Sequence, residues 1–205
     1  MIWIVEIYTG KKKIPEYVLS SLVNKFPSCT FYAVSGPYGI YWKGKVPEED
    51  KKDVQHFLRR NWLRRQRWYE SSWDRNSNYR QAFIQNYRGP MRCRYCNRKI
   101  TKKNMEVDHL IPVARAKKGG FARQMLKEEG IANVNDVRNL VPSCRRCNRR
   151  KGTKMGVWYI RGILGKYPVY WKIILMSKIF LVVIIFILFI VFVKQYYALC
   201  LHYIS

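Results

Sequence analysis

Acidic residues are scarce in this sequence. Its 205 residues include 13 Asp and Glu against 39 Lys and Arg, so the formal net charge at neutral pH is +26. An imbalance of this size says little about the fold, but it leaves polyanions or an anionic membrane surface as the expected partners. Binding to nucleic acid should therefore weaken steeply as the salt concentration rises.

The first residues lack the basic leading region of a secretory signal peptide. Residues 1–8 form a short apolar segment that Glu6 interrupts, so we do not expect a signal peptide. The six cysteines are then expected in an intracellular protein, where metal binding is favoured over disulfide formation. Cys29 is interpreted as a small core residue and Cys200 as a residue of the carboxyl-terminal tail.

The carboxyl-terminal region lacks polar side chains over a long stretch. Residues 179–193 contain none, and residues 173–193 contain only Ser177 and Lys178. Because these 21 residues would span roughly 30 Å as a helix, the thickness of a bilayer's hydrocarbon core, we predict a transmembrane helix at residues 173–195. A buried hydrophobic helix and an apolar tail without a selected role are the alternatives.

Basic residues flank this apolar segment unequally. Arg161, Lys166 and Lys172 precede it, whereas Lys194 alone follows it. Because positive residues accumulate on the cytoplasmic side of membrane proteins, we expect a membrane-anchored protein whose preceding domains are cytoplasmic. Residues 157–172 are interpreted as the linker to the helix. Without the anchor, the whole protein would be cytoplasmic.

The first 46 residues predict a small βαββ unit. Residues 2–8 are rich in β-branched and aromatic side chains, residues 14–26 have helical apolar spacing, and residues 30–42 have the pattern of a hairpin. Because a unit this small buries little core, we expect it to dock on the residues that follow. It would either contact the target or buttress the rest of the chain.

Residues 47–90 form a basic, aromatic region that we predict to be helical. Acidic residues at positions 48–50 open a helix that should run to about residue 71. Its expected buried stripe consists of Val54, Phe57, Leu58, Trp62 and Tyr69. The other positions carry Arg59, Arg60, Arg64, Arg65 and Arg67, which we interpret as phosphate contacts rather than a solvated face. The aromatic residues that follow are Trp68, Trp73, Tyr79 and Tyr87, and we expect packing rather than stacking on bases.

Two Cys-x-x-Cys pairs enclose the most informative region, residues 91–156. Cys93 and Cys96 form the first pair, Cys144 and Cys147 form the second, and 47 residues separate the pairs. Two thiolates three positions apart can bind one metal ion, and two such pairs complete a tetrahedral zinc site. The four cysteines therefore predict a structural Zn²⁺ site rather than unrelated thiols.

An Asp-His pair lies between the two cysteine pairs. Asp108 and His109 belong to a β-rich segment, residues 105–111, and Pro112 limits how far that strand can remain paired. These two side chains are therefore expected near the end of a strand.

The second cysteine pair lies on a predicted short helix. Ser143 stands at the expected N-cap, and Gly152 stands where a helix ends in a left-handed residue. Asn148 follows Cys144 by one helical turn, so a zinc ion would hold Asn148 opposite Asp108.

These motifs, taken together, resemble those of a known family. They are Glu106-Val-Asp-His-Leu-Ile-Pro112, Asn139-Leu140 and Cys144-Arg-Arg-Cys-Asn-Arg-Arg-Lys-Gly152. In order and spacing they resemble the HNH nucleases with a ββα-metal active site, in the subtype with two zinc-binding cysteine pairs. The resemblance covers residues 90–155. It implies an α+β fold in which a small zinc-stapled nuclease domain follows an amino-terminal βαββ and helical extension.

The sequence departs from the plainest form of this family in two places. Asn148 stands where that form has its last histidine, a substitution that the family commonly shows. The segment between His109 and Asn139 is longer than in compact members and includes a predicted helix at residues 121–129 that Gly130 closes. The insertion affects the register of the second strand rather than the identity of the ligands.

The resemblance implies an endonuclease that hydrolyses DNA phosphodiester bonds with one divalent metal ion. His109 would be the general base, because imidazole titrates near neutral pH. Asp108 and Asn148 would bind the catalytic Mg²⁺ or Mn²⁺ through oxygen atoms. Asn139 would orient the loop that carries the base.

Basic residues decorate the second cysteine pair and its helix. They include Arg145, Arg146, Arg149 and Lys151. Because these charges lie beside the expected active site, we predict that they contact the phosphate backbone of DNA, or of RNA, without reading its sequence. Nothing in the sequence specifies a target site or an oligomeric state.

Two other functions fit parts of the same pattern. A zinc-stapled nucleic-acid-binding module without turnover would explain the cysteines and the charge, but it would not need a base beside metal ligands. A nuclease that acts on DNA or RNA at a membrane surface would make the apolar helix the primary feature.

Overall fold

The computed structural model describes residues 1–9, 14–36 and 39–204, and it has the α+β architecture that the sequence predicted. Within these residues it contains a four-stranded and a two-stranded antiparallel sheet with eight α-helices. The helices pack on the sheets except for the last one, which extends away from them.

The larger sheet is built by the amino-terminal part of the chain. Its strands are β1 (Ile2–Ile7), β2 (Thr30–Gly36), β3 (Gly39–Pro47) and β4 (Gln66–Glu70), in the order β2-β3-β1-β4. Helix α1 (Glu16–Lys25) connects β1 to β2, and helix α2 (Lys51–Arg60) connects β3 to β4. The first three strands and α1 confirm the predicted βαββ order. The expected turn at Pro37 and Tyr38 lies outside the described residues.

The long helix expected from residue 47 to residue 71 is wrong beyond Arg60. The chain leaves α2 there because Trp62 has a φ of 61°, and β4 then pairs antiparallel with β1. Tyr69 and Arg67 lie on the same face of β4, but Tyr69 is completely buried, whereas the side chain of Arg67 is 40% exposed beside Glu6. The strand lies at the edge of the sheet. The sheet therefore continues across residue 46, where the sequence had suggested a boundary.

Strand β1 separates two hydrophobic cores. Because successive side chains of a strand point to opposite faces, Val5 and Ile7 pack with α1 and α2, whereas Ile4 packs on the other side. Two helices cover that second side, α4 (Val113–Lys118) and α5 (Gly120–Glu128), and α5 confirms the helix predicted at residues 121–129. The amino-terminal unit thus docks on the later residues, as expected.

A buried ionic cluster joins the larger sheet to α4. Glu6 is 3% exposed and accepts hydrogen bonds from Tyr69 Oη at 2.6 Å and from Lys117 Nζ at 2.8 Å. Lys117 Nζ also lies 2.9 Å from Asp74 Oδ1, and Lys43 pairs with the same carboxylate. Burial alone would raise the pKa values of Glu6 and Asp74, but their bonds to these lysines outweigh it and hold both pKa values below the ordinary range.

The smaller sheet carries the residues of the nuclease-like motif. It pairs β5 (Glu106–His109) with β6 (Leu140–Ser143), and helix α6 (Arg145–Lys151) follows directly. Cys144, rather than Ser143, is the N-cap residue of α6, since Ser143 is still paired in β6. Gly152 ends the helix with a φ of 51°, as predicted. Helix α3 (Tyr79–Asn86), which precedes the two strands in the chain, also contacts β5.

The last two helices of the described residues are α7 (Val157–Leu164) and α8 (Pro168–Ile204), so residues 157–172, the expected linker, are mostly helical. Gly165 lies at the corner between them, where a Cβ atom would stand 2.0 Å from the carbonyl oxygen of Arg94. Trp171 Nε1 donates a hydrogen bond to the carbonyl oxygen of Gly165 at 3.0 Å. The corner is therefore packed closely against the first cysteine pair.

Helix α8 has the length and composition to cross a membrane. Its 29-residue apolar part, Pro168–Tyr196, spans roughly 43 Å at the helical rise per residue, and its most apolar window is not buried against the rest of the described chain. That exposure argues against the alternative of a buried hydrophobic helix. A contiguous exposed apolar surface of this size is typical of a segment that contacts a membrane or another protein.

We predict that Lys117→Met destabilises the fold by about 3 kcal/mol near pH 7, because it leaves the buried carboxylates Glu6 and Asp74 without their shared cation. The measurement is urea unfolding of the full chain in detergent. Lys118→Met, which removes a neighbouring exposed charge, is the matched control and should change the free energy of unfolding by less than about 0.5 kcal/mol.

The pH dependence provides a second measure of the same cluster. Since the folded pKa values of Glu6 and Asp74 lie below their ordinary values of 4.5 and 3.8, their stabilisation is complete above pH 4.5 and is lost as the pH falls through the folded values. Lys117→Met should flatten that acid-side loss. An unchanged acid-side slope would show that Lys117 does not hold the cluster together.

Candidate active site

Four cysteine sulfurs converge between the first cysteine pair and α6. The Sγ atoms of Cys93, Cys96, Cys144 and Cys147 all lie within 4.8 Å of one another, and those of Cys96 and Cys144 are 3.9 Å apart. Zinc binds thiolates at about 2.3 Å, so the sulfurs of a tetrahedral site lie just under 4 Å apart. The cluster fits a zinc ion, as the sequence predicted.

Local structure brings each cysteine pair to this point. Asn97 N donates to the carbonyl oxygen of Cys93 at 2.9 Å, and Asn97 adopts a φ of 61°, which turns Cys93 and Cys96 toward the same side. Cys144 and Cys147 lie at the start of α6, one turn of helix apart. The pairs differ in sequence context, yet both present two sulfurs to one point.

The protein surroundings alone shift the cysteine pKa values in both directions. Burial opposes a lower pKa of Cys144, but hydrogen bonds from the Cys147 backbone and from the neighbouring thiols outweigh it and lower that pKa. Burial raises the pKa of Cys93 to about 11, and burial together with the neighbouring thiols raises that of Cys147. A bound metal ion reverses this effect, because thiolates are stable at neutral pH only beside positive charge.

Asp108 is held from two directions. Its Oδ2 atom accepts hydrogen bonds from Tyr95 Oη at 2.6 Å and from Lys151 Nζ at 2.8 Å. The residue as a whole is 8% exposed. Within the described residues, Oδ1 has no hydrogen-bond partner, which leaves it able to bind a cation.

Lys151 is a structural residue rather than a surface contact. It is 0% exposed, and its Nζ atom donates to the carbonyl oxygen of His109 at 2.6 Å as well as bonding Asp108. Burial lowers the pKa of Lys151, and Asp108 only partly offsets that effect. The expectation that Lys151 contacts a phosphate backbone is therefore corrected, because no phosphate can approach a side chain enclosed in this way.

Asn148 is paired with Glu106 instead of directly with Asp108. Its Nδ2 atom donates to Glu106 Oε2 at 2.7 Å, and its Oδ1 atom has no hydrogen bond among the described residues. Glu106 and Asp108 are two residues apart on β5 and therefore lie on the same face of that strand. Asn148 and Lys151 are three residues apart on α6 and therefore lie on the same face of that helix. Two side-chain pairs, Asp108–Lys151 and Glu106–Asn148, therefore join these faces of β5 and α6. Among the described residues, Asp108 Oδ1, Asn148 Oδ1 and Glu106 Oε1 have no hydrogen-bond partner.

His109 makes different contacts from its neighbour. Its Nε2 atom lies 3.3 Å from Asn135 Oδ1, and its ring centroid is 4.7 Å from that of Tyr79. The residue is 2% exposed, and burial, with the nearby charge of Arg75, lowers the pKa of His109 to about 4. The imidazole is therefore neutral at neutral pH, the form that can accept a proton.

The three residues expected to meet around one ion are thus placed in two settings. Asp108 and Asn148 lie on facing surfaces of β5 and α6, whereas His109 contacts Tyr79 and Asn135. In the described part of the chain, no hydrogen bond joins the side chains of these three residues. Their convergence on one metal ion remains a prediction.

Asn139 fixes the loop that follows His109. Its Oδ1 atom accepts from Ile111 N at 2.8 Å, and its Nδ2 atom donates to the carbonyl oxygens of Ile111 at 3.2 Å and Val134 at 2.8 Å. The carbonyl oxygen of Asn139 also accepts from Leu110 N at 2.7 Å. A residue that is 2% exposed and bonded in this way holds backbone in place rather than touching substrate.

The arginines singled out by the sequence lie on the surface in two groups. Arg145, Arg146 and Arg149 are exposed on α6 and line a depression of about 550 Å³ beside the cysteine cluster. Arg59, Arg60, Arg64 and Arg65 are exposed at the end of α2 and in the turn that follows. The aromatic residues Trp73 and Tyr79 pack inside instead, as predicted.

Sequence reasoning gave no site role to Glu106 or Asn135, and it assigned Lys151 to the phosphate backbone instead of to Asp108. The role of Glu106 could have been found from its position two residues before Asp108 on the same strand, and that of Lys151 from its spacing of three residues from Asn148 on a helix. Asn135 carries no comparable pattern, because its contact with His109 depends on how the loop before Asn139 folds back. Its Nδ2 atom also donates to the carbonyl oxygen of Asp74 at 2.7 Å.

Comparison with known proteins gives one relevant similarity. The chain is 36% identical over 67 residues to the CRISPR-associated endonuclease Cas9 of Corynebacterium diphtheriae. The matched segment is 32% of this chain but only 5% of the length of that protein. No family model matches the chain. No solved structure matches it either.

We predict that the purified protein contains one zinc ion per chain and that Cys147→Ser loses it. The loss should also disorder α6, because a helix of seven residues is marginal without a tertiary anchor. Metal content measured by mass spectrometry and helicity measured by circular dichroism would check this. Cys29→Ser, which replaces a buried thiol outside the cluster, should keep its zinc; a metal content equal in both variants would contradict the assignment.

Proposed function

We propose that this protein is a metal-dependent endonuclease of the HNH type that hydrolyses phosphodiester bonds of DNA. The observation that carries the proposal is the packing of α6 against β5. Asp108 and Asn148 lie on the facing surfaces of these two elements, beside the four-cysteine cluster. The 67-residue similarity to an endonuclease supports it. So does the net charge of +26, which suits a polyanionic substrate.

The free oxygen atoms of Asp108 and Asn148 would hold the catalytic ion. Carboxylate and amide oxygens are ligands that Mg²⁺ and Mn²⁺ prefer, and both Oδ1 atoms are without hydrogen bonds in the described residues. Such an ion would neutralise charge at the scissile phosphate and at the departing oxygen. Lys151 and Tyr95 would keep the Asp108 carboxylate oriented through its other oxygen atom.

His109 would act as the general base. Its Nε2 atom would accept a proton from the attacking water after giving up the 3.3 Å contact with Asn135, since catalytic hydrogen bonds are often long before substrate binds. Asn139 would keep the following loop in position, and Tyr79 would support the ring.

Exposed arginines would bind the phosphate backbone on either side of this centre. Arg145, Arg146 and Arg149 lie on the helix that carries Asn148, so phosphates bound there would be close to the catalytic residues. Contacts of this kind position a duplex without reading its sequence. DNA is the proposed substrate, and RNA would present the same phosphate chemistry.

We predict that His109→Ala abolishes nicking of a supercoiled plasmid, with a loss of at least about 100-fold, while zinc content and DNA binding are retained. The assay compares Mg²⁺, Mn²⁺ and EDTA. His56→Ala, which removes an exposed histidine on α2, is the matched control and should cut like the wild type. Undiminished cutting by His109→Ala would remove His109 from the mechanism.

The burial of His109 favours a second candidate, a zinc-stapled nucleic-acid-binding module without turnover. A base that is 2% exposed with a pKa of about 4 is what a purely structural histidine would show. The same assay separates the two functions, because this candidate predicts DNA binding by the wild type without any Mg²⁺-dependent nicking.

We further propose that α8 anchors the protein in a membrane with the nuclease on the cytoplasmic side. The exposed apolar surface of Pro168–Tyr196 and the basic residues that precede it support this arrangement. Removing every residue after Lys166 leaves α7 intact and should move the protein from the membrane fraction to the soluble fraction. Recovery of both proteins in the soluble fraction would contradict the anchor.

A further inference from the structure

Trp62 is unexpectedly exposed. The residue is 79% exposed, which is the largest exposed fraction of any large hydrophobic residue in the described part of the chain. The sequence had placed it in the buried stripe of a long helix, but that helix ends at Arg60. Single exposed apolar side chains are common on protein surfaces, so the exposure of Trp62 is informative only together with its backbone conformation and its charged neighbours.

The backbone at Trp62 is also unfavourable for this residue. The turn after α2 has the two hydrogen bonds of a Schellman motif, from Leu63 N to the carbonyl oxygen of Leu58 at 2.9 Å and from Trp62 N to that of Arg59 at 3.2 Å. The residue in the left-handed conformation of this motif is usually glycine. Here it is Trp62, with a φ of 61°, so the position carries backbone strain that glycine would avoid.

Positive charge surrounds the exposed ring. Arg64 holds its guanidinium group 4.8 Å from the centroid of the Trp62 ring, and its neighbours Arg59, Arg60 and Arg65 are exposed as well. The ring, Arg64 and Arg65 border a depression of about 610 Å³ whose other walls include Tyr8 and Leu63. A planar apolar surface among phosphate-binding groups is the combination that single-stranded nucleic acids require.

We propose that Trp62 is a base-stacking site for an unpaired nucleotide, with Arg59, Arg60, Arg64 and Arg65 contacting the adjoining phosphates. The proposal rests on the nucleic-acid-binding part of the proposed function but not on catalysis. Bases inside a duplex are already stacked on one another, so a single exposed ring selects a strand whose bases are unstacked. The site would therefore give the protein a preference for substrates with single-stranded segments.

The test measures binding of the full chain, in detergent and without added Mg²⁺ or Mn²⁺, to a fluorescent single-stranded oligonucleotide and to a blunt-ended duplex. Trp62→Gly should weaken binding of the single strand by about 10-fold, since stacking contributes this much per base. The affinity for the duplex should not change. The salt dependence of the affinity should also stay the same for both ligands, because no charge is removed. Trp62→Phe should retain most of the single-strand affinity.

Two controls distinguish a loss of base stacking from a loss of folding. The thermal midpoint of Trp62→Gly should equal or exceed that of the wild type, because glycine relieves the backbone strain. Phe121→Ala, which removes another exposed aromatic ring, should leave single-strand binding unchanged. Equal single-strand affinities of Trp62→Gly and the wild type would overturn the stacking site.

Failure of the nuclease proposal would look different from failure of this inference. If the wild type does not nick DNA but Trp62→Gly loses single-strand binding, the stacking site is supported and the nuclease proposal is contradicted. If the wild type nicks DNA and Trp62→Gly binds single strands normally, catalysis stands and the stacking site falls.

Discussion

The convergence of four sulfur atoms is the constraint on which the candidate site depends. Strands β5 and β6 have four residues each and α6 has seven, so none of these elements would be stable alone. A shared metal ion would join the first cysteine pair to α6 across the strand pair. The Asp108–Lys151 and Glu106–Asn148 contacts form where α6 packs against β5, and the proposed ion would stabilise that packing.

A second support reaches the site from the larger sheet. Lys117 joins Glu6 of β1 to Asp74, and the carbonyl oxygen of Asp74 accepts a hydrogen bond from Asn135. Asn135 in turn contacts the imidazole of His109. The amino-terminal unit is therefore connected to His109 through a continuous series of polar contacts.

Local patterns predicted those parts of the molecule that depend on few residues. The spacing of the cysteines anticipated the cluster, the apolar periodicity anticipated α1 and α5, and Gly152 marked the end of α6. Long-range pairing decided the rest. β4 carries the arginines and aromatics of a helical pattern, but pairing with β1 buries Tyr69 completely, and that gain outweighs local preference. Lys151 resembles its exposed arginine neighbours in sequence, and only its position facing Asp108 makes it a buried residue.

The close approach of Gly165 to Arg94 has a mechanical consequence. The corner between α7 and α8 leaves no room for even a methyl group, so a larger residue at position 165 would have to move the start of α8 away from the first cysteine pair. In the proposed membrane arrangement, this corner would keep the four-cysteine cluster near the lipid surface. A substrate of the proposed nuclease would then have to be bound close to that surface.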